Sequence, residues 1–308
     1  MIIKSTRDGF GEALLKLGKT RKDIFVVDAD LKESLRISEF AQKYPDQFIE
    51  CGVAEQNMIG VAAGLALTGK TVFATSFACF SPVISWNQIR IAVCYSKANV
   101  KIVGSHAGLA TGMDGASHQS LEDIALMQVL PNMVILVPAD YEQAKQLTKL
   151  AAEHVGPVYL RLARPETEAV SGKRLAVRVG GSEILRKGNK ITIIGCGIVL
   201  GEAMKAAEKL DAEVINCYSV KPLDEKTILE SVKKTGRVIT IEDHNVIGGL
   251  GSAVAELLGQ KYPVPLKILG IKDKFGESAR DYKELWHKYG LDSDTIIDAA
   301  EEVDQEIR

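Results

Sequence analysis

Short unbroken apolar runs alternate along this chain with longer stretches whose apolar positions return every three to four residues. "RDGFGEALLKLG" (7–18) carries Phe10, Ala13, Leu14 and Leu17 at helical spacing and stops at Gly18. "IFVVDAD" (24–30) then reads as a buried strand with acidic residues at its C-terminal end. In "ECGVAEQNMIGVAAGLALTG" (50–69), Glu55 opens an apolar helix with Met58, Ile59, Ala62, Leu65 and Ala66 on one period, ended by Gly69. The alternation continues with strands at 71–77, 100–105, 133–138 and 157–163 and helices at 81–97, 120–128 and 140–153. Residues 167–189 loosen into polar, hairpin-like alternation and read as a linker. A second series follows, with strands at 191–196, 212–217, 237–242 and 265–270, helices at 199–210, 224–234 and 249–259, and two terminal helices. This pattern predicts an α/β protein of two open, mainly parallel sheets flanked by helices, divided at 1–166 and 190–308.

The 308 residues hold 38 Lys and Arg against 40 Asp and Glu, a formal net charge of -2. So even a balance favours neither a nucleic-acid nor a membrane partner. No stretch approaches the roughly 20 apolar residues of a membrane span, and no apolar leader with a cleavage site opens the chain. The cysteines, Cys51, Cys79, Cys94, Cys196 and Cys217, are odd in number and form no CxxC pair. They argue against a disulfide framework or a zinc site and predict a reducing, cytoplasmic setting.

Ligands of open parallel sheets bind beyond the carboxyl ends of the strands. That rule gathers Asp28, Asp30, Phe77, Phe80, His106 and Arg164 at one rim, beside the Gly-rich loop "SHAGLATGMDGASHQS" (105–120). Other glycine motifs carry less. "GCGIVLG" (195–201) follows a strand and precedes a helix, but its spacing is GxGxxxG. The next strand ends in Asn216 and Cys217, with no acidic residue for a ribose hydroxyl, so the motif reads as a tight structural turn. "GGLGS" (248–252) reads as a helix entry with some capacity for an anion. Glu55 poses a sharper question. A carboxylate at the mouth of so apolar a helix either complements the helix dipole or serves a group that needs a proton.

Taken together, "GVAEQNMIGVAAGLA", "TSFACFSP", "SHAGLATGMDGASHQSLEDIALMQVLPNMVILVPAD" and "LRLARPE" resemble the C-terminal half of transketolase. The resemblance implies a pyrimidine-binding domain at 1–166 and a transketolase C-terminal domain at 190–308. In that family the cofactor's diphosphate and metal are held by another domain, marked by GDG and a downstream asparagine pair. Here the nearest element, Asp114-Gly115, lies inside the histidine loop without such a pair, and the length leaves no room for that domain. The resemblance therefore implies a split enzyme. A separate N-terminal subunit would supply the site for thiamine diphosphate and Mg2+ or Ca2+, with the two chains assembled as an α2β2 heterotetramer.

Roles follow from the resemblance residue by residue. Glu55 holds a proton for the aminopyrimidine ring of thiamine diphosphate, a task suited to a carboxyl in an apolar pocket. Phe80 lies on the face of that ring and Phe77 walls the same pocket, while Val83 stands where several family members have tyrosine. Asp30 matches an acidic residue on the thiazolium side. His106 contacts the sugar phosphate and His118 the reacting oxygen, as donors placed where charge develops, and Asp114 accepts from a substrate hydroxyl. Asp114 should reject sugars lacking that hydroxyl, because binding them would leave it buried and unpaired. Arg7, Ser34 and Arg164 complete a phosphate clamp with His106. Glu55, His106 and His118 form the expected catalytic set. A metal site on His106, Asp114 and His118 competes with this reading but lacks a further ligand pair, so no metal is assigned to this chain.

The implied activity is transfer of a two-carbon ketol unit from a ketose phosphate to an aldose phosphate, as in the pentose phosphate pathway. A 1-deoxyxylulose-5-phosphate synthase would carry arginine in place of His106, and the β chain of a 2-oxo-acid dehydrogenase would lack "DGASHQSLED". A non-catalytic scaffold has no use for Glu55 or the histidine set. The second half carries no identifiable chemistry, and its expected work is burying surface between subunits.

Overall fold

The computed structural model describes residues 3–172 and 176–305. The first helix, Thr6–Thr20, shows how local sequence sets an element. Ser5 and Asp8 form a reciprocal capping box at its start, and Phe10, Ala13 and Leu14 are buried along one face.

The first half contains β1 (Ile3–Ser5), β2 (Ile24–Asp28), β3 (Phe48–Glu50), β4 (Thr71–Phe77), β5 (Val100–Ser105), β6 (Val134–Leu136), β7 (Val158–Arg161) and β8 (Glu166–Glu168). The second contains β9 (Glu183–Arg186), β10 (Ile191–Gly195), β11 (Ala212–Asn216), β12 (Ser219–Lys221), β13 (Val238–Asn245) and β14 (Leu266–Ile271). A seven-stranded sheet runs in the order β12-β6-β7-β5-β4-β2-β3 and a five-stranded sheet in the order β14-β13-β10-β11-β9. Within each sheet all pairings are parallel except those of the edge strands β12 and β9. This is the α/β architecture of two mainly parallel sheets that the apolar runs predict.

The halves are not independent. Strand β12 from the second half pairs with β6 of the first sheet. One continuous core joins Met58, Ile59 and Ala62 of helix Glu55–Leu67 to Ile194, Ile215 and Leu250 of the second half.

Three expectations need correction. The helix expected at 81–97 is broken into short turns at Ser81–Ile84 and Trp86–Gln88, followed by the wider π-helical spiral of Ile89–Tyr95. The β-branched Ile89, Ile91 and Val93 crowd a tight α-helix, and the wider spiral relieves them. The helix expected from 120 starts at Asp123, because Ser120 is held in a bridge to Ala107. Finally, the presumed linker at 167–189 holds the end of β8 and all of β9, which pair antiparallel with β1 and β11. Edge strands carry charged residues that mask an apolar alternation. Residues 173–175 of that stretch lie outside the described residues.

Candidate active site

Helix Glu55–Leu67 begins at Glu55 itself, with no side-chain cap on its first amides. Its apolar positions Met58, Ile59 and Ala62 are fully buried, so packing holds the helix and fixes its first residue. Glu55 is 7% exposed. Among the described residues its carboxyl receives one hydrogen bond, from Ser76 Oγ at 3.3 Å. Ser76 immediately precedes Phe77 at the end of β4, so the carboxyl meets the sheet at the rim where the aromatic residues stand.

Four rings are grouped there. Phe77 stacks on Phe80 with centroids 5.8 Å apart and planes 13° from parallel. His106 stacks on the ring of Phe77, and His118 stands edge-on to Phe80 at 5.4 Å. His106 ends β5 in the left-handed region, at φ 56°, which turns the chain into the histidine loop. Its Nδ1 lies 3.0 Å from Ser105 Oγ and its Nε2 3.4 Å from Arg7 Nη1. Burial, followed by the nearby Arg7 and Arg164 charges, pushes its pKa down to about 3. His106 is therefore a neutral imidazole across the ordinary pH range. His118 is half-buried, with Nδ1 2.9 Å from Ser117 Oγ.

Of the expected anion clamp, the structure joins Arg7, Ser34 and His106. Arg7 Nη1 donates to the backbone carbonyl of Ser34 at 2.8 Å, so Ser34 meets the guanidinium through its main chain. Desolvation and the neighbouring Arg36 lower the Arg7 pKa from its usual range. Arg164 reaches the loop from the other side, donating to the Thr111 carbonyl at 2.8 Å. Asp114 is solvent-exposed and lies 3.9 Å from Arg164. The three-ten turn Leu109–Asp114 places it on the outer side of the loop. Asp30, also exposed, takes φ 60°, and its amide donates to Glu50 Oε1 at 2.8 Å. Its neighbour Asp28 is fully buried, accepts from Thr75 Oγ1 and the Leu31 amide, and is pushed up by burial to about 6.

The second half contributes more than the sequence reading gave it. Asp243, at the end of β13, accepts hydrogen bonds from the amides of Leu109 and Ala110 at 2.8 and 3.1 Å and from Trp286 Nε1 at 3.1 Å. It thereby fixes the first turn of the histidine loop. Gly108 is required there, because a Cβ would lie 2.4 Å from Asp243 Oδ2 and φ is 80°. Arg161 locks the same region from below, donating to both carboxylate oxygens of Asp123 and to the carbonyls of Ser120 and Asp243. The anion capacity read into "GGLGS" is already taken. Glu242 accepts from the amides of Leu250 and Gly251 at that helix start, and burial raises it to about 7. Ser76 lies inside "TSFACFSP" and Arg161 inside "LRLARPE", whereas Asp243 carries no sequence signal.

Among the described residues, no group of three His, Cys, Asp or Glu side chains is placed to hold a metal ion, and no helix is long and apolar enough to cross a membrane. The donor set suits a heteroaromatic ring instead. A buried carboxyl bonded to Ser76, a stacked pair of phenyl rings, a neutral imidazole and the Arg7 guanidinium belong to this strand-end rim.

Known proteins match the chain over nearly its whole length. The transketolase pyrimidine-binding domain family matches residues 4–169, and the transketolase C-terminal domain family matches residues 180–296. A Methanocaldococcus jannaschii protein named as a transketolase C-terminal section is 45% identical over 303 residues, covering 96% of this chain and 95% of that protein. A 6-deoxy-6-sulfo-D-fructose transketolase subunit of a Clostridium species is 41% identical over 303 residues, covering 96% of this chain and 94% of that subunit. A solved split-gene transketolase, an inactive β4 tetramer, superposes with a TM-score of 0.90 at 44% identity, covering 97% of this chain and 98% of that one.

Proposed function

This chain belongs to the transketolase family, and on that premise we propose that it is the C-terminal subunit of a two-chain transketolase. With an N-terminal subunit carrying the diphosphate and Mg2+ or Ca2+ site, in an α2β2 assembly, it transfers a two-carbon ketol unit between sugar phosphates. Its setting is the cytoplasm and the pentose phosphate pathway, and its five unpaired thiols suit a reducing compartment.

The observation that carries this reading is the meeting of Glu55, through Ser76, with the Phe77–Phe80–His106–His118 cluster at one strand end. When bound, thiamine diphosphate supplies a thiazolium that stabilises a carbanion. Glu55 would hydrogen-bond the aminopyrimidine nitrogen through its carboxyl. Phe80, backed by Phe77, packs on that ring and keeps water from it. His118 donates to the reacting oxygen of the sugar, and Asp114 accepts from a sugar hydroxyl. Arg7, Arg164, Ser34 and the neutral His106 hold the phosphate end, and Asp30 faces the thiazolium side.

The similarity to an inactive tetramer of β chains favours an isolated chain without activity. The test is incubation of both chains, thiamine diphosphate and Mg2+ with xylulose 5-phosphate and ribose 5-phosphate. Sedoheptulose 7-phosphate is expected with both chains and not with this one alone. No product from a folded, cofactor-loaded complex overturns the activity, and full activity of the single chain overturns the division of labour.

A further inference from the structure

We propose that Arg280, in the second half of the chain, is a third guanidinium of the sugar-phosphate site and sets its preference for a dianion. The inference rests on the ketol-transfer reading above. A cavity of about 280 Å3 is lined by Arg7, Arg164, the turn Ala110–Met113 of the histidine loop, Arg280 and Tyr282. Three guanidinium groups thus face one space, with Glu166 the carboxylate on its wall.

Part of their donor capacity is engaged, Arg7 Nη1 by the Ser34 carbonyl and Arg164 Nη1 by the Thr111 carbonyl. Arg7 Nε is buried without a hydrogen-bond partner. Among the described residues the ion-pair partner of Arg164 is Asp114, in a loose approach at 3.9 Å. Among the described residues Arg280 forms no ion pair.

Arg280 is exposed, yet the segment carrying it is fixed on both sides. The Ala279 carbonyl packs on the turn, 3.6 Å from where a Cβ of Gly112 would stand. Tyr282 stands edge-on to Trp286 with centroids 4.9 Å apart, and the Trp286 indole donates to Asp243. Asp243 also holds the amides of Leu109 and Ala110, so one buried carboxylate sets the histidine loop and the Arg280 segment relative to each other.

The chemistry selects the ligand. Guanidinium forks match the oxygens of a tetrahedral anion, and three of them, with Glu166 on the wall and Asp114 3.9 Å from Arg164, leave a net positive charge. A phosphate monoester is close to doubly charged at neutral pH, whereas a sulfonate of the same shape carries one charge. Arg280 therefore discriminates a sugar phosphate from a sugar sulfonate and from an unphosphorylated sugar.

The experiment uses the two-chain enzyme with Arg280→Gln and Arg280→Lys. Arg280→Gln is expected to raise KM for a phosphorylated ketose donor about tenfold relative to KM for an unphosphorylated one. Arg280→Lys should recover part of the difference, and added salt should shrink it. A sugar sulfonate donor should be affected less than the phosphate. Equal changes for all donors, or no change for the phosphorylated one, overturn the inference. If the wild-type complex shows no ketol transfer, the functional reading fails separately, and calorimetry of ribose 5-phosphate binding to that complex decides the role of Arg280. Weaker binding by the Gln variant, with ribose as the unphosphorylated control, sustains it. Indistinguishable titrations of wild type and variant, including no binding by either, overturn it.

Discussion

The imidazole of His106 lies on the ring of Phe77, with centroids 3.9 Å apart and planes 25° from parallel. Burial in that stack, and the charges of Arg7 and Arg164, keep the imidazole neutral down to about pH 3. The unfolded chain takes up this proton near pH 6.5 and the folded chain does not, so the contribution to stability falls as pH drops from about 6.5 toward 3. Asp28 and Glu242, raised to about 6 and about 7, act in the opposite sense because the folded chain binds their protons first. His106→Gln isolates the histidine. Its melting temperature relative to wild type should rise steadily as pH is lowered from about 7 to about 5. A difference that stays constant over that range would contradict a neutral His106.

Glu55→Gln keeps the shape of the side chain and an acceptor for Ser76, so thermal stability should change little. Ketol transfer by the two-chain enzyme should fall by about a hundredfold or more, the usual scale for removing a proton-transfer group. Undiminished turnover with cofactor bound would favour a scaffold subunit.

Asp243→Asn leaves one acceptor oxygen where three donors converge, and turns an amide group toward N–H donors. Unfolding free energy should drop by about 1–3 kcal/mol. Hydrogen exchange at the amides of Leu109 and Ala110 should speed up, and KM for the sugar should rise. Unaltered exchange at those two amides would show that the loop holds itself without Asp243.

The buried pair Arg161–Asp123 gives a stability prediction away from the chemistry. Burial alone would raise the Asp123 pKa, but the Arg161 charge together with the hydrogen bonds from Arg161 and Tyr159 and the nearby His244 turns the net shift downward. Arg161→Met strands that carboxylate, and the orphaned charge should cost about 3–5 kcal/mol in a denaturation experiment. Replacing both residues, as Arg161→Met with Asp123→Leu, should recover part of the loss. A double variant no better than the single one would place the cost in the lost Ser120 and Asp243 carbonyl contacts instead.

Elements were legible where side chains repeat with one period and are buried by their own segment's neighbours. Helix Thr6–Thr20 and strands β4, β5, β10 and β11 are of that kind. Strands β3, β9 and β12 were not legible, since each is short and takes its identity from the strand it pairs with. The site divides likewise. Phe77, Phe80, His106 and His118 lie at strand ends or in the loop beside them, so the rule for parallel sheets collects them. The partnership of Leu109 with Asp243 spans 134 residues and has no local trace.

The sequence by itself determined which segments become strands and helices, and it gathered the carboxyl, aromatic and imidazole groups at one rim. Hydrophobic periodicity and strand direction are properties of neighbouring residues, so a linear reading contains them. Tertiary structure alone decided that His106 is neutral, that Asp114 faces solvent beside Arg164, and that the second half braces the histidine loop through Asp243. Those outcomes depend on desolvation and on hydrogen bonds between distant segments, which exist only once the two sheets are packed together.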